Sequence, residues 1–326
     1  MLRAFRITKI RRRSKLKKLI KGNAIWLVYI VMVIVFTIAN KNFIKPSNLV
    51  AISRQVAVYG IASVGMTFVI LIAGIDLSIG SIITLVNIAC AWMMVKMGIN
   101  MWVATLISLA IAVLVGVLNG FMVSSIGIPA LIATFASQTI FEGLSYLWSS
   151  GLPISGFTKD FDLFGKTAVG IIPVSAIIMI ACFLIGSFIL NKSYFGRYFY
   201  AIGGNEEAAE LSGIRVGRMK YLIYALSGFF AGLAGIVMLS RTASAQNTAG
   251  KGYEFDVITC VVLGGVSVNG GVGRISGVIA GVLIIGSLTN GMILMNVSTY
   301  TQQVVKGLVL AVAVGIDCMS KKKQIT

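Results

Sequence analysis

The chain has 326 residues, 57% of them hydrophobic and 12% charged, with a mean hydropathy of +0.94 and a formal net charge of +18. Soluble domains carry about 25% charged residues, so repeated apolar runs at half that fraction exclude a soluble globular protein and define an integral membrane protein. The chain has no histidine, no G-x-x-x-x-G-K-[ST] loop and four widely spaced cysteines, Cys90, Cys182, Cys260 and Cys318, which excludes a Ser-His-Asp triad, a His or multi-Cys zinc site and a P-loop nucleotide site.

The first 21 residues hold ten of the 28 lysines and arginines. They precede an apolar stretch at 24–39 that no small-residue cleavage site closes, so it reads as a retained signal anchor. A helix needs roughly 20 apolar residues to cross a bilayer. On that basis ten spans are expected, near 24–40, 49–73, 77–96, 101–123, 129–149, 168–190, 219–240, 254–268, 275–296 and 301–318. The 254–268 segment is short enough to enter only partway. The expected fold is therefore an all-α membrane protein with both termini on one side. Its parts are a basic segment 1–23, a single transmembrane domain 24–318 with a cytoplasmic loop at about 191–218, and a basic tail 319–326.

Charge placement orients this arrangement. One side holds the ten N-terminal basic residues, five within 192–220, Arg274, and Lys321, Lys322 and Lys323. The other side holds seven: Lys41, Lys45, Lys96, Lys159, Lys166, Arg241 and Lys251. The excess marks the cytoplasmic face, with N- and C-termini inside. It also suits anionic lipid headgroups, and its placement beside apolar spans argues against a nucleic-acid partner.

Polar residues inside the apolar runs are the candidates for a translocation path or a helix break. Asp76 lies in "AGIDLSIGS" between Gly74 and Gly80, with Ser78 two residues on. A carboxylate at membrane depth must line a watery cavity or find a partner. The alternative is a turn in which Asp76 caps the following helix. Asn87, Asn119 and Gln138 can bond neighbouring helices or together line a hydrophilic path. Glu142 reads as interfacial, and Glu254 and Asp256 as caps at the start of the 254–268 segment. Gly273, Gly277 and Gly281 recur at four-residue spacing, as do Gly228 with Gly232 and Gly116 with Gly120, a pattern that lets helix backbones approach closely. Both Gly74–Val86 and Gly271–Leu283 place a glycine-broken turn before an apolar helix, as inverted repeats of transporters do.

The stretch "NEEAAELSG" reads as a short helix, with Asn205 as its cap, acids in its first turn and Gly213 as its stop. Glu207-Ala208-Ala209 with Gly213 four places on resembles the EAA loop of ABC-importer permeases, although no proline follows Ile223 as that pattern usually has. "AGIDLSIGS", "FGRYFYAIGGNEEAAELSGI", "GYEFDVITCVVLGGVSVNGGVGRISGVIAG" and "VVKGLVLAVAV" together resemble the sugar-importing permeases of the ribose, xylose and galactoside type. Glu142 departs from that family, where a basic residue is frequent. The resemblance implies a bacterial plasma-membrane permease for a pentose or hexose, working as two copies. It implies ATP held on a separate cytoplasmic ATPase subunit and none on this chain, and an external sugar-binding protein. By the same match Glu206, Glu207, Ala208, Ala209 and Gly213 would form the loop that couples to the ATPase. A branched-chain amino-acid permease and an ion-coupled secondary transporter are the competing readings.

Overall fold

The computed structural model describes residues 25–325; the expected basic segment 1–23 lies outside them. Helix α1 (Ile25–Ala39) leads through a 3-10 turn into α2 (Pro46–Leu71), whose Pro46 opens the first turn. Proline suits that position because its missing N–H would be unbonded there anyway. Next come α3 (Ile79–Lys96), α4 (Met101–Phe121), which runs on through a π-helical turn to Ile126, and α5 (Ala130–Ser149). Then follow α6 (Val174–Lys192), α7 (Tyr194–Gly204), α8 (Glu206–Leu211) and α9 (Val216–Thr242). The chain closes with α10 (Tyr253–Leu263), α11 (Ile275–Leu294) and α12 (Thr299–Ile325).

Among the described residues, seven helices are long and apolar enough to cross a membrane: α2, α3, α4 with its π turn, α6, α9, α11 and α12. The other three expected spans are helical but differ. Helix α1 is short. The serines, threonines, Gln138 and Glu142 of α5 dilute its apolar character. Helix α10 has 11 residues, about 16 Å at 1.5 Å per residue, roughly half the hydrocarbon thickness. The expectation of an all-α fold needs a small correction. Ile154–Ser155 pairs antiparallel with Ser244–Ala245, and Ala168–Val169 pairs with Ile172–Pro173. The expected 168–190 span therefore starts only at Val174. Its apolar first residues form a hairpin because Gly170 supplies a left-handed turn, φ +63°, and Pro173 then opens the helix. At the other end α12 continues to Ile325, so the expected tail begins as part of that helix.

Helix α2 is the axis. Every residue from Val56 to Leu71 is buried, against α6, α9, α10 and α11. A helix apolar all round belongs at the centre of such a bundle. Helix α12 is peripheral and exposes Tyr300, Val304, Leu308, Val312 and Ile316 at four-residue spacing. It is tied inward by Lys306, whose Nζ lies 2.7 Å from Asp256 on α10, and by Asp317, which accepts from Ser267 Oγ and the Val268 N–H.

The glycine pairs place the helices in contact. A Cβ on Gly116 would strike the Tyr224 carbonyl, one on Gly120 would lie 2.8 Å from the Tyr221 Cα, and one on Gly228 would strike the Ala112 carbonyl. The two small-residue faces of α4 and α9 thus pack on each other. Gly277 and Gly281 do the same for α11 against the carbonyls of Gly264 and Cys260. Gly273 was expected on that face, but α11 begins at Ile275, and Gly273 instead packs its turn against Val266. In lipid, where apolar surface gives no drive for helices to associate, such backbone contact supplies the cohesion. Gly228→Val is expected to lower the melting temperature of the detergent-solubilised protein, at an overpacking cost of about 1–3 kcal/mol. Gly315→Ala on α12, where a Cβ meets nothing, should leave it unchanged or slightly raised. Equal melting of both variants would remove the α4–α9 contact from the account.

Candidate functional site

The break between α2 and α3 begins where α2 ends in a Schellman turn: the Gly74 N–H reaches the Val69 carbonyl and the Ala73 N–H the Ile70 carbonyl. The left-handed residue of that turn is Ala73, φ +59°, not the neighbouring glycine that capping preferences favour. Residues 75–78 then cross the interior without helical bonding, and side chains from other helices complete their bonds. Thr134 of α5 donates to the Ile75 carbonyl at 3.0 Å and accepts from the Leu77 N–H at 3.1 Å.

Asp76 is fully buried and fully engaged. Its Oδ1 accepts from the Ser78 N–H at 3.0 Å and the Ser78 Oγ at 2.5 Å, and its Oδ2 accepts from Ser227 Oγ of α9 at 2.7 Å. An N-cap residue accepts from the second or third helical N–H. Asp76 instead bonds Ser78, which itself stands at the cap position of α3. It therefore ties the break to α9 and does not close α3. The network continues as Asn119 of α4 donates to Ser78 Oγ at 2.8 Å and accepts from Ser137 of α5. The buried hydroxyl of Tyr224, with no hydrogen-bond partner, lies near the position a Cβ on Gly74 would take.

The remaining candidates divide. Asn87 donates to the Gly235 carbonyl at 2.9 Å and joins α3 to α9, away from Asp76. Gly80 and Gln138 border a separate cavity of about 270 Å³ between α3, α5 and α10. There Gln138 Nε2 donates to Glu254 Oε1 at 3.1 Å. A Cβ on Gly80 would strike Glu254 Oε2, so glycine is required for this carboxylate to fit. Glu254 stands in the first turn of α10, yet its side chain turns to the cavity. The sequence reading treated it as a cap. The usable signal was that Gly252-Tyr253-Glu254 repeats the Gly-x-acid order of Gly74-Ile75-Asp76.

The two glycine-broken turns singled out as related also meet. The Gly271 N–H donates to the Leu71 carbonyl at 2.9 Å, and a Cβ on Gly203 of α7 would fall on that same carbonyl. The ends of α2 and α7 and the turn before α11 thus meet through close backbone contacts, and the Tyr200 hydroxyl of α7 adds a hydrogen bond to the Gly273 carbonyl at 2.9 Å.

Helix α7 leads directly into α8. Asn205 caps α8 through the Ala208 N–H at 2.9 Å. A Schellman turn closes it, with Gly213 at φ +85° and its N–H on the Glu210 carbonyl, and the Ile214 N–H on Ala209. Ala209 is buried, Glu206 pairs with Lys220 at 2.6 Å, and Ala208, Glu207, Glu210 and Leu211 are exposed, Leu211 at 86%. Among the described residues no cluster of histidine, cysteine or acidic side chains could hold a metal ion.

Among the described residues, seven membrane-length helices packed around a buried polar break define a multi-pass membrane protein, and its relatives give the class as a transport permease. The chain belongs to the family described as the branched-chain amino acid transport system / permease component, which matches residues 48–314. It is 45% identical over 289 residues to the ribose import permease protein RbsC of Bacillus subtilis, covering 88% of this chain and 89% of the relative. It is 42% identical to the Escherichia coli K12 protein of the same name, over 90% and 92% of the two chains. The L-arabinose transport system permease protein AraH of Escherichia coli is 37% identical, over 92% and 91%. No solved structure matches the chain.

Asp76→Ala would strand the buried donors of Ser78 and Ser227, at about 1–3 kcal/mol for an unsatisfied buried group. Asn keeps an acceptor for Ser78, and Ser227 Oγ can turn to accept from its amide. Thermal unfolding in detergent should therefore rank wild type, then Asp76→Asn, then Asp76→Ala. An asparagine variant as unstable as the alanine variant would mean that the charge itself holds the break.

Proposed function

We propose that the chain is the membrane-spanning subunit of an ATP-driven importer of a monosaccharide such as ribose or a related pentose or hexose, in a bacterial plasma membrane. The observation that carries this is likeness over nine-tenths of the chain to permeases named for ribose, with those named for arabinose and xylose close behind. The family description names branched-chain amino acids, but every one of these relatives is named for a pentose, which favours the sugar. An ion-coupled transporter gains no support from them.

The polypeptide makes ten membrane passes or partial passes, with both termini cytoplasmic. Helix α8 lies on the cytoplasmic side and couples to a separate ATPase subunit, which holds the ATP. Its support is physical. Caps at both ends hold it rigid, Ala209 and the Glu206–Lys220 pair fix it to the base of α9, and Leu211, Glu207 and Glu210 remain free to meet a partner. An apolar knob ringed by charge suits a protein interface. An external sugar-binding protein delivers the substrate, and a second copy of the permease completes the path.

Two experiments test this. Gly213→Pro, which removes both the left-handed turn and its N–H, and Glu207→Lys are expected to insert normally but lose sugar uptake and co-purification of the ATPase subunit. Retained co-purification with both variants would move the docking site elsewhere. For topology, single cysteines at Ser193 and Ser155, in a background with the four native cysteines replaced by serine, should label differently with an impermeant thiol reagent applied outside. Position 155 is expected to react and 193 to stay protected; equal labelling would refute the orientation.

A further inference from the structure

We propose that the cavity between α3, α5 and α10 is a sugar-contact site within the membrane domain, with Glu254 as its central hydroxyl acceptor. The proposal rests on the monosaccharide reading above and assigns that substrate a place. At about 270 Å³ the cavity sits just under the range of roughly 300–1,000 Å³ usual for small-molecule sites, which suits a ligand the size of a single sugar ring.

The carboxylate is the first reason. Glu254 is 2% exposed, and its Oε1 is occupied by Gln138 and the Gly252 N–H at 3.3 Å. Its Oε2 is buried and accepts no hydrogen bond. An acceptor so placed is expensive in a membrane domain and marks a function when it borders a cavity. A sugar hydroxyl is the donor it lacks. Helix α10 is also too short to cross the bilayer, and the acids of its first turn, Glu254 and Asp256, are buried in the bundle. The loop before it is locked to α3 by the Gly250 N–H on Thr84 Oγ1 at 3.0 Å, which brings Glu254 to the cavity wall.

The rest of the lining is the second reason. Gln138 supplies donors and Glu142 a second carboxylate, while the exposed Lys251 lines the cavity from the loop before α10. Phe135 and Phe255 line the same cavity and are 58% and 51% exposed. A sugar ring has hydroxyl edges and apolar C–H faces. Carboxylate and amide groups match the first, and aromatic rings the second. The Asp76 network offers no such place, since both carboxylate oxygens are already engaged.

The test uses the reconstituted complex of permease, ATPase subunit and binding protein, with D-ribose, D-xylose and L-arabinose as probes. Glu254→Gln keeps the side-chain volume and the acceptor for Gln138 but replaces the free acceptor with a donor. Phe135→Ala removes an exposed ring. Both variants are expected to lower uptake about tenfold, while melting temperature and binding-protein-stimulated ATP hydrolysis stay near wild type. A direct readout is alkylation of Lys251→Cys in the cysteine-free background. D-ribose should slow it, and L-leucine should not. Uptake within about twofold of wild type in both variants, or a loss matched by lost stability, overturns the site. So does alkylation indifferent to all three sugars in a complex that still transports them. Wild-type complex that imports none of the three sugars instead overturns the monosaccharide reading on which the site rests.

Discussion

Backbone that leaves the helical path inside a membrane has no water to bond, so its N–H and C=O groups must be completed by the protein. Residues 75–78 impose that requirement at the centre of this bundle. Thr134 of α5 bonds that backbone directly, while Ser227 of α9 and Asn119 of α4 bond the side chains of Asp76 and Ser78, with Asp76 as the hub. The positions of these three helices are fixed by the needs of one short segment. Because each partner is itself buried, loss of any one exposes the others to the full cost of an unmet bond.

Such a hub needs its helices close together, and glycine makes that possible. The faces of Gly116 and Gly120 on α4 and of Gly228 and Gly232 on α9 bring two backbones into contact right beside Asn119 and Ser227. Gly80 serves a different end, leaving room for the Glu254 carboxylate beside α3. The same residue type thus closes the bundle in one place and opens a cavity in another. What differs is the neighbour: a backbone of an antiparallel helix in the first case, an acidic side chain in the second.

The proposed coupling to an ATPase subunit would require α8 to be linked to the core. Helix α7 meets the end of α2 and the turn before α11 through close backbone contacts and the Tyr200–Gly273 hydrogen bond, and α8 follows it after a single residue. Contacts made of backbone have few side-chain rotamers to absorb a displacement. The segment that leads into α8 is thus tied to the break between α2 and α3 and to the start of α11.

Much of this was legible in the sequence. Apolar runs gave the helices of the bundle, because membrane thickness fixes the length a span must have. Asn205 and Gly213 marked both ends of α8 correctly, since caps depend on local bonds. The Gly-x-x-x-Gly pairs gave the packing faces, but not which face met which. Tertiary structure decided the rest. The sequence could not show that Asp76 reaches Ser227, 151 positions away, or that Gln138 and Glu254 share a cavity. Nor could it show that residues 168–173 fold as a hairpin, because hydropathy counts apolar side chains and is blind to the turn at Gly170. Local chemistry sets where a helix starts and stops; which buried polar groups become partners is set only when the helices pack, because each pairing depends on distances between segments remote in the chain.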